Sequence, residues 1–568
     1  MTTLVRELRT VKEKKRIRRT EPRFTKFICS IDKGARAFRR GLDRSAIWLL
    51  AVLSLVYFAV SGALAYWKLM WFDELCTYSI ASLPNAAAIW SKLSSGTGPM
   101  PPSFYLLTRL SQRWLGPTHF AIRFPELLGF LIASWCVFHF IRRRTDALYG
   151  LIGMLAVWTT GAYPFAYEAR PYGLVLAFCG LALVCWQAAT ENVRRRLALV
   201  GLFAACAGAV ASHYGAVMLV FPFALGELTR SVSRRKVDWP VWLAFCGAAL
   251  PLLIFFPLLR TSIRPYGMMW SHPHASSILE CYTELLSMAA HPFAAILGGL
   301  GIWRALRARA IFTQLFICTS SMPIWEITAA IGLLLLPIAG LLQALLVTDQ
   351  ISARYVMPLV MGFAILLAVL ARENLHHDAV SGLLITAVLF AGWGSHIRWE
   401  YLRIRPEAGR VEALYRAAEQ GAEKLPIVIN DGNRFFQLVH YTPAEFSARL
   451  IYLVDPEAAR KYSGTDSPDL CLLRYRSFLP LNLVPADSFL RSGQPFLMYQ
   501  SSRGWLLPVL KNNDARIELA ASLGIQTLYR VKPNPVVSNA EIGRSDFKIR
   551  DSAFFAQLLS AEQSAASF

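Results

Sequence analysis

About eleven apolar runs constrain this chain more than any other feature. They fall near 46–67, 119–141, 147–165, 171–189, 197–212, 214–228, 239–259, 284–303, 325–347, 355–371 and 379–396. A helical span needs about 20 apolar residues, and in lipid only a helix or a closed barrel satisfies its own backbone. The runs therefore predict a polytopic α-helical membrane protein with about eleven transmembrane helices over residues 46–398. A first external loop is expected at 68–118.

The charges between the runs set the expected orientation. Arg142-Arg143-Arg144, Arg194-Arg195-Arg196, Arg230 with Arg234-Arg235-Lys236, Arg304 with Arg307 and Arg309, and Arg372 occupy alternate connections. The positive-inside rule assigns those connections and the N-terminus to the cytoplasm. The Asp73 loop, Tyr167–Arg170, Ser212-His213, the 260–283 loop, the 348–354 loop and everything after His396 then lie outside. The expected place is the inner (plasma) membrane, with the C-terminal region extracytoplasmic. Net charge is +22, and much of it sits in an arm at 1–45 carrying Lys14-Lys15-Arg16, Arg18-Arg19 and Arg39-Arg40. No nucleic-acid-reading module accompanies that arm, so it reads as a topology anchor that touches anionic membrane lipid, with no nucleic-acid partner. The ten cysteines are scattered without a CxxC, which argues against a zinc or disulfide framework. The first apolar run starts too late and is too long for a cleavable signal peptide.

The pattern changes after about residue 399. Short β-rich runs at 426–430, 450–454, 495–499 and 527–531 alternate with helix-like segments. That alternation predicts a soluble α/β domain at 399–568 with a largely parallel sheet, ending in a polar tail after about 535. No glycine-rich phosphate loop is present, so nucleotide binding has no support. Asp431 and Asp455, at strand ends, read as turn or helix-cap residues.

Candidate chemistry begins at Met70-Trp71-Phe72-Asp73-Glu74-Leu75, where two carboxylates follow directly on a membrane-length run. Carboxylates there must lie outside lipid or face a protein cavity. They can serve as a general base, ligate a metal, or simply occupy a helix N-terminus, where acids are favoured. Downstream come Gly98-Pro99-Met100-Pro101-Pro102-Ser103-Phe104-Tyr105, Arg123-Phe124-Pro125 and Tyr167-Glu168-Ala169-Arg170-Pro171-Tyr172. Ser212-His213-Tyr214 and Ser352-Ala353-Arg354-Tyr355-Val356-Met357-Pro358 complete the series.

In this order the motifs resemble those of GT-C integral-membrane glycosyltransferases. The likeness is to glycosyltransferase family 39-like bacterial proteins, the group of protein O-mannosyltransferases and lipid A aminoarabinose transferases. It rests on the acidic pair in the first external loop, Pro-Pro-x-x-Tyr, Arg-Pro-Tyr and a late Arg-Tyr-x-x-Pro, and covers about residues 46–398. It implies an inverting transfer from a polyprenyl-phosphate sugar to an acceptor hydroxyl on a glycan, lipid or protein, at the extracytoplasmic face. It also implies Asp73 as catalytic base, with Glu74 as helper or substrate contact. Members often carry His before the Pro-Pro pair, where this chain has Met100, so a role for that histidine in acceptor or metal binding does not carry over. A cofactor is not required by the pattern, and a divalent metal stays open.

The basic residues fit the same chemistry, because a departing lipid phosphate gains negative charge. Arg170 and Arg354 stand at span ends on the face where positive residues are sparse, and Arg123 and Arg264 are further candidates for the phosphate. The competing readings are ion pairs of Arg170 with Glu168 and of Arg354 with Asp349; Lys68 can snorkel. Tyr105, Glu168, Tyr172, His213 and Tyr355 are candidate substrate contacts, although a lone histidine at a hairpin such as His213 is more often structural. His272 and His274 have no carboxylate at ligand spacing. Trp71, Trp90, Trp114 and Trp270 read as interfacial anchors or sugar platforms. Two other classes fit a polytopic chain: a lipid or glycan transporter, or a non-catalytic envelope-assembly protein. Few mid-span acids and no clear inverted repeat argue against the first.

Overall fold

The computed structural model describes residues 23–262, 271–310, 322–374, 378–419, 424–500, 504–523 and 526–534. The polar tail after 535, Arg264 and Trp270 lie outside the described residues.

All eleven apolar runs are helical, but they are not eleven equal spans. Among the described residues, seven helices are long and apolar enough to cross a membrane: Ala46–Trp67, His119–Arg142, Tyr172–Thr190, Arg195–Ser212, Tyr214–Arg234, Ser276–Trp303 and Ala379–Ile404. The pair Ile324–Leu334 and Leu336–Thr348 meets the same criterion only when taken together and is bent by 49° at its break, as in a broken span or a re-entrant loop. The remaining three runs form shorter helical pieces: Ala147–Trp158, Trp239–Ile254 and Leu359–Asn374. The breaks have local causes. The Ala147 helix stops at Thr159-Thr160-Gly161, whose glycine N–H donates to the Leu285 carbonyl at 2.8 Å rather than continuing the helix. Pro251 and Pro257 interrupt the 239–259 run.

The bundle packs by close backbone approach, as apolar helices without a hydrophobic driving force in lipid must. The His119–Arg142 and Tyr172–Thr190 helices meet at Gly129 and Gly173, where a Cβ on Gly129 would sit 2.8 Å from the Gly173 carbonyl carbon. Alanine at that point would force the helices apart. On the Ala46–Trp67 helix Ile47, Trp48, Val52 and Leu55 face outward, while Tyr57, Ser61 and Ala65 face the bundle.

Charge sorts to the two ends. At one end Arg143 and Arg144 pair with Glu191, Arg144 with Glu326, and Arg195 and Arg230 share Asp238. Arg39 of the Arg23–Arg44 helix joins them through Asp146, its Nε donating at 3.0 Å. At the opposite end gather Asp73, Arg170 and Arg354.

The helix Ala379–Glu419 runs without a break from the bundle into the C-terminal domain, so the boundary expected at 398/399 falls inside one helix. The domain holds six strands: β1 (Ile427–Ile429), β2 (Leu450–Val454), β3 (Leu483–Pro485), β4 (Phe496–Gln500), β5 (Arg516–Leu523) and β6 (Gln526–Lys532). Their order is β3-β2-β1-β4-β6-β5. The first four are parallel, and β6 and β5 add antiparallel. In β1 alternate side chains enter different cores. Ile427 and Ile429 join a cluster shared with Met70, Phe72, Leu75, Ile89 and Leu93 of the 68–118 segment, whereas Val428 packs on the other face with Phe496 and Met498. The 68–118 segment and the domain therefore bury one common core. That core holds the helix Phe72–Ala81, and Asp73 on it, in a fixed relation to the domain.

Candidate active site

Asp73 and Glu74 open the Phe72–Ala81 helix, where first-turn acids meet unsatisfied N–H groups and the positive end of the helix dipole. Adjacent residues on a helix point about 100° apart, and the two carboxylates part company. Glu74 is fully buried and takes a bidentate pair from Arg123, with Nε and Nη2 each donating at 2.7 Å. The Ala169 N–H also donates to it at 2.7 Å. Arg123 is equally saturated, donating to the carbonyls of Ala65 at 2.6 Å and Lys68 at 2.7 Å. Burial pushes the Glu74 carboxyl up, and the Arg123 charge and hydrogen bonds outweigh it, so the net shift is downward. This pair rivets the Phe72–Ala81 helix to the head of the His119–Arg142 helix. Neither residue lines the cavity described next.

Asp73 faces the other way, with 24% of its side chain exposed. Its Oδ2 accepts from Arg354 Nη1 at 3.1 Å and lies 3.5 Å from Arg170 Nη2. Arg170 comes from the turn that precedes the Tyr172–Thr190 helix, and Arg354 from the short 3-10 helix Ala353–Val356. Neither ion pair weighed from the sequence forms. Glu168 pairs with Lys68, whose ammonium also lies 5.3 Å from the centre of the Tyr167 ring, and exposed Asp349 lies 3.8 Å from His272. Lys68 is thus buried rather than snorkelling to water.

His213 sits beneath this trio, its ring centre 5.7 Å from Tyr172 and 5.5 Å from Tyr355. Its Nδ1 accepts the Gly215 N–H at 3.0 Å, which assigns the neutral ring a proton on Nε2. Burial, then the charges of Arg170 and Arg354, lower its pKa to about 3, so the imidazole is neutral at physiological pH.

These groups line a cavity of about 1340 Å³ between the Asp73 end of the bundle and the C-terminal domain. Trp71, Asp73, Cys76, Met100, Tyr105, Arg170, His213, Arg354 and Tyr355 form one wall. Asn430, Asp431, Asp469, Tyr475 and Trp505 belong to the facing wall. The domain side is placed by topology. β1 and β4 are neighbours from which the chain departs in opposite directions across the sheet, and the crevice beyond the carboxyl ends of such strands is where open α/β sheets hold ligands. Asn430 and Asp431 follow β1 directly. Asp431 caps the next helix through the Asn433 N–H at 2.9 Å, and Asp455 caps another through Ala458, as their positions in sequence suggested.

Of the residues singled out in sequence, Asp73, Arg170, Arg354, Tyr105, His213 and Tyr355 converge on one cavity. Tyr172 lies directly behind them, while Glu74, Arg123 and Glu168 are drawn into structural ion pairs. Sequence reading passed over Cys76, Asp469, Tyr475 and Trp505, because the residues that face them are hundreds of positions away. Asp73 is flanked by two guanidiniums, a setting that repels a cation, and among the described residues no three His, Cys, Asp or Glu side chains cluster as metal ligands.

Residues 99–260 match the family model described as dolichyl-phosphate-mannose-protein mannosyltransferase. No curated protein matches the chain by sequence. Two crystal structures of ArnT from Cupriavidus metallidurans, one apo and one bound to undecaprenyl phosphate, superpose with a TM-score of 0.51 at 14% identity. Each alignment covers 86% of this chain and 98% of the ArnT chain. The chain therefore shares the ArnT fold. The resemblance drawn from the motifs stands at the level of architecture, and the aligned region includes part of the C-terminal domain as well as the bundle.

Proposed function

We propose that this chain is a membrane glycosyltransferase that moves a sugar from a polyprenyl-phosphate donor to an acceptor hydroxyl on the extracytoplasmic face. The observation that carries the reading is the single carboxylate of Asp73 held between Arg170 and Arg354 at the floor of an open cavity. The GT-C fold and the ArnT complex with undecaprenyl phosphate support the donor class.

The geometry suggests an order of events. Without substrate, Asp73 pairs with both guanidiniums and offsets one of their two positive charges. A phosphate entering from the membrane offers them two oxygens in place of one carboxylate, and charge-assisted contacts to phosphate are strong. Asp73 is thereby released toward the cavity as general base for the acceptor hydroxyl. The acceptor oxygen forms its bond to the anomeric carbon as the bond to the phosphate oxygen breaks, and the polyprenyl phosphate leaves with the bonding electrons. Attack from the side opposite the phosphate inverts the anomeric centre. Arg170 and Arg354 neutralise charge that grows on the phosphate, and burial strengthens that contact. His213, neutral with its proton on Nε2, can donate to a sugar or phosphate oxygen without adding charge. The indole N–H of Trp71, buried and without a partner among the described residues, is a second donor at the cavity wall.

The test is transfer of label from a panel of radiolabelled polyprenyl-phosphate sugars, with purified protein in lipid and a membrane extract as acceptor. Label in a product identifies donor and acceptor class together; no transfer from any donor by folded protein contradicts the reading.

A further inference from the structure

Two cysteines meet across the junction of the external loop and the C-terminal domain. Cys76 lies one turn after Asp73 on the Phe72–Ala81 helix, and Cys471 lies on the Ser467–Arg476 helix of the domain. Their Sγ atoms are 3.9 Å apart, although the residues are 395 positions apart in the chain. Both line the cavity. Of the other described cysteines, Cys136, Cys179 and Cys206 are on membrane helices, as are Cys185 and Cys281, while Cys246 sits in the broken 239–259 run and Cys29 on the Arg23–Arg44 helix. Among the described cysteines, Cys76 and Cys471 alone line the cavity that holds Asp73.

The contact is built rather than incidental. Tyr475, one turn beyond Cys471, donates its hydroxyl to the Cys76 carbonyl at 3.3 Å. The Met70 N–H donates to Tyr441 at 2.8 Å, Gln437 donates to the Met70 carbonyl at 3.0 Å, and Arg474 donates to the Gly96 carbonyl at 2.8 Å. The Phe72 and Phe436 rings meet edge to face at 5.7 Å. Five contacts thus hold the two backbones in place around the thiols. Closing from 3.9 Å to a bonded sulfur distance of about 2 Å requires side-chain rotation of the kind a pair already in contact can make.

We propose that Cys76 and Cys471 form a disulfide that fastens the C-terminal domain to the helix carrying Asp73. The inference rests on these residues lying on the extracytoplasmic side, where thiols are not kept reduced. The oxidant is an external disulfide, carried by a small molecule or a thiol–disulfide oxidoreductase. One cysteine, as thiolate, attacks it and expels the first external thiolate, giving a mixed disulfide. The other then attacks that bond, forms Sγ–Sγ and expels the second. Two electrons pass to the external disulfide, and the two thiol protons end on the two released thiols. The bond would close one side of the cavity and fix the distance between the donor wall and the domain wall.

The test needs no activity and no mutant. Full-length protein in native membranes is alkylated with N-ethylmaleimide before solubilisation, digested without reductant and mapped by mass spectrometry. The proposal predicts a peptide pair joined through Cys76 and Cys471, lost on reduction, and two fewer alkyl labels than on protein reduced first. Full alkylation of both cysteines, in native membranes and again after purified protein is treated with oxidised glutathione, overturns it. Because the readout is covalent, its failure leaves the transferase reading untouched, and failure of the transfer assay leaves the cross-link to be judged on its own.

Discussion

Asp73 and Glu74 are neighbours with the same chemistry and opposite fates. Glu74 is fully buried, takes three strong hydrogen bonds and is sealed by Arg123 against the bundle. Asp73 is partly exposed, accepts from Arg354 at 3.1 Å with Arg170 at 3.5 Å, and looks into the cavity. Each carboxylate pairs with arginine, so pairing alone does not distinguish structure from function. What differs is whether a substrate can displace the partner. Arg123 spends its remaining N–H groups on backbone carbonyls and has nowhere to go. Arg170 and Arg354 line open volume and can exchange a carboxylate for a phosphate.

The largest expected effect falls on the open cluster. Asp73→Asn should fold normally and lose transfer by about 10²–10⁴-fold, the usual worth of a general base. Next, Arg354→Gln and Arg170→Gln should each cost about 10²–10³-fold in kcat, as loss of a transition-state charge partner does, and should weaken binding of undecaprenyl phosphate. A lysine at either position should restore only part of the loss, because it cannot match the planar fork.

On the sealed cluster the effect should be one of stability. Glu74→Gln leaves Arg123 buried without its counter-charge and should cost about 3–5 kcal/mol, read as a lower thermal midpoint, while folded molecules keep transfer. Its pH dependence has a definite sign. The Glu74 carboxyl is lowered from an ordinary value of 4.5, so its stabilisation is fully present above that value and disappears as pH falls through the lower folded value.

The smallest effects belong to two groups with opposite slopes. His213 titrates near 3 when folded against an ordinary 6.5, so it erodes stability as pH falls below 6.5; His213→Asn should flatten that limb. Asp469 rises from 3.8 to about 7, mainly through burial, so it erodes stability as pH rises through that window. Asp469→Asn should therefore raise the midpoint at pH 8 and leave it unchanged at pH 3. Thermal melts across pH 3–8 of both variants separate the two limbs.

Much of this was legible in sequence where a signal is local. Among the described residues, every helix long and apolar enough to cross a membrane falls on one of the apolar runs, and Asp73, Arg170 and Arg354 stood out because each sits beside a span end in a family-like motif. The acidic pair by itself did not separate Asp73 from Glu74; the family resemblance implied Asp73 as base, and the folded chain adds that Glu74 is taken by Arg123, 49 residues further on. Helix breaks were missed where a glycine N–H finds a distant carbonyl, as Gly161 does with Leu285. Two strands were missed for different reasons. β3 is three residues long and ends in proline, and β5 is an edge strand whose side chains are mostly exposed, so it carries little apolar pattern. The thiol contact between Cys76 and Cys471 has no signature at all, since scattered cysteines reveal a pair only when the chain is folded.

The most direct measurement puts the two neighbours side by side. Asp73→Asn and Glu74→Gln, each purified in lipid with its folded fraction determined, are assayed for label transfer from a polyprenyl-phosphate sugar that wild type accepts. The account predicts a folded, inactive Asp73→Asn and a less stable Glu74→Gln that still transfers per folded molecule. Near-normal transfer by Asp73→Asn, or a stable Glu74→Gln that has lost it, would contradict the assignment of the catalytic base.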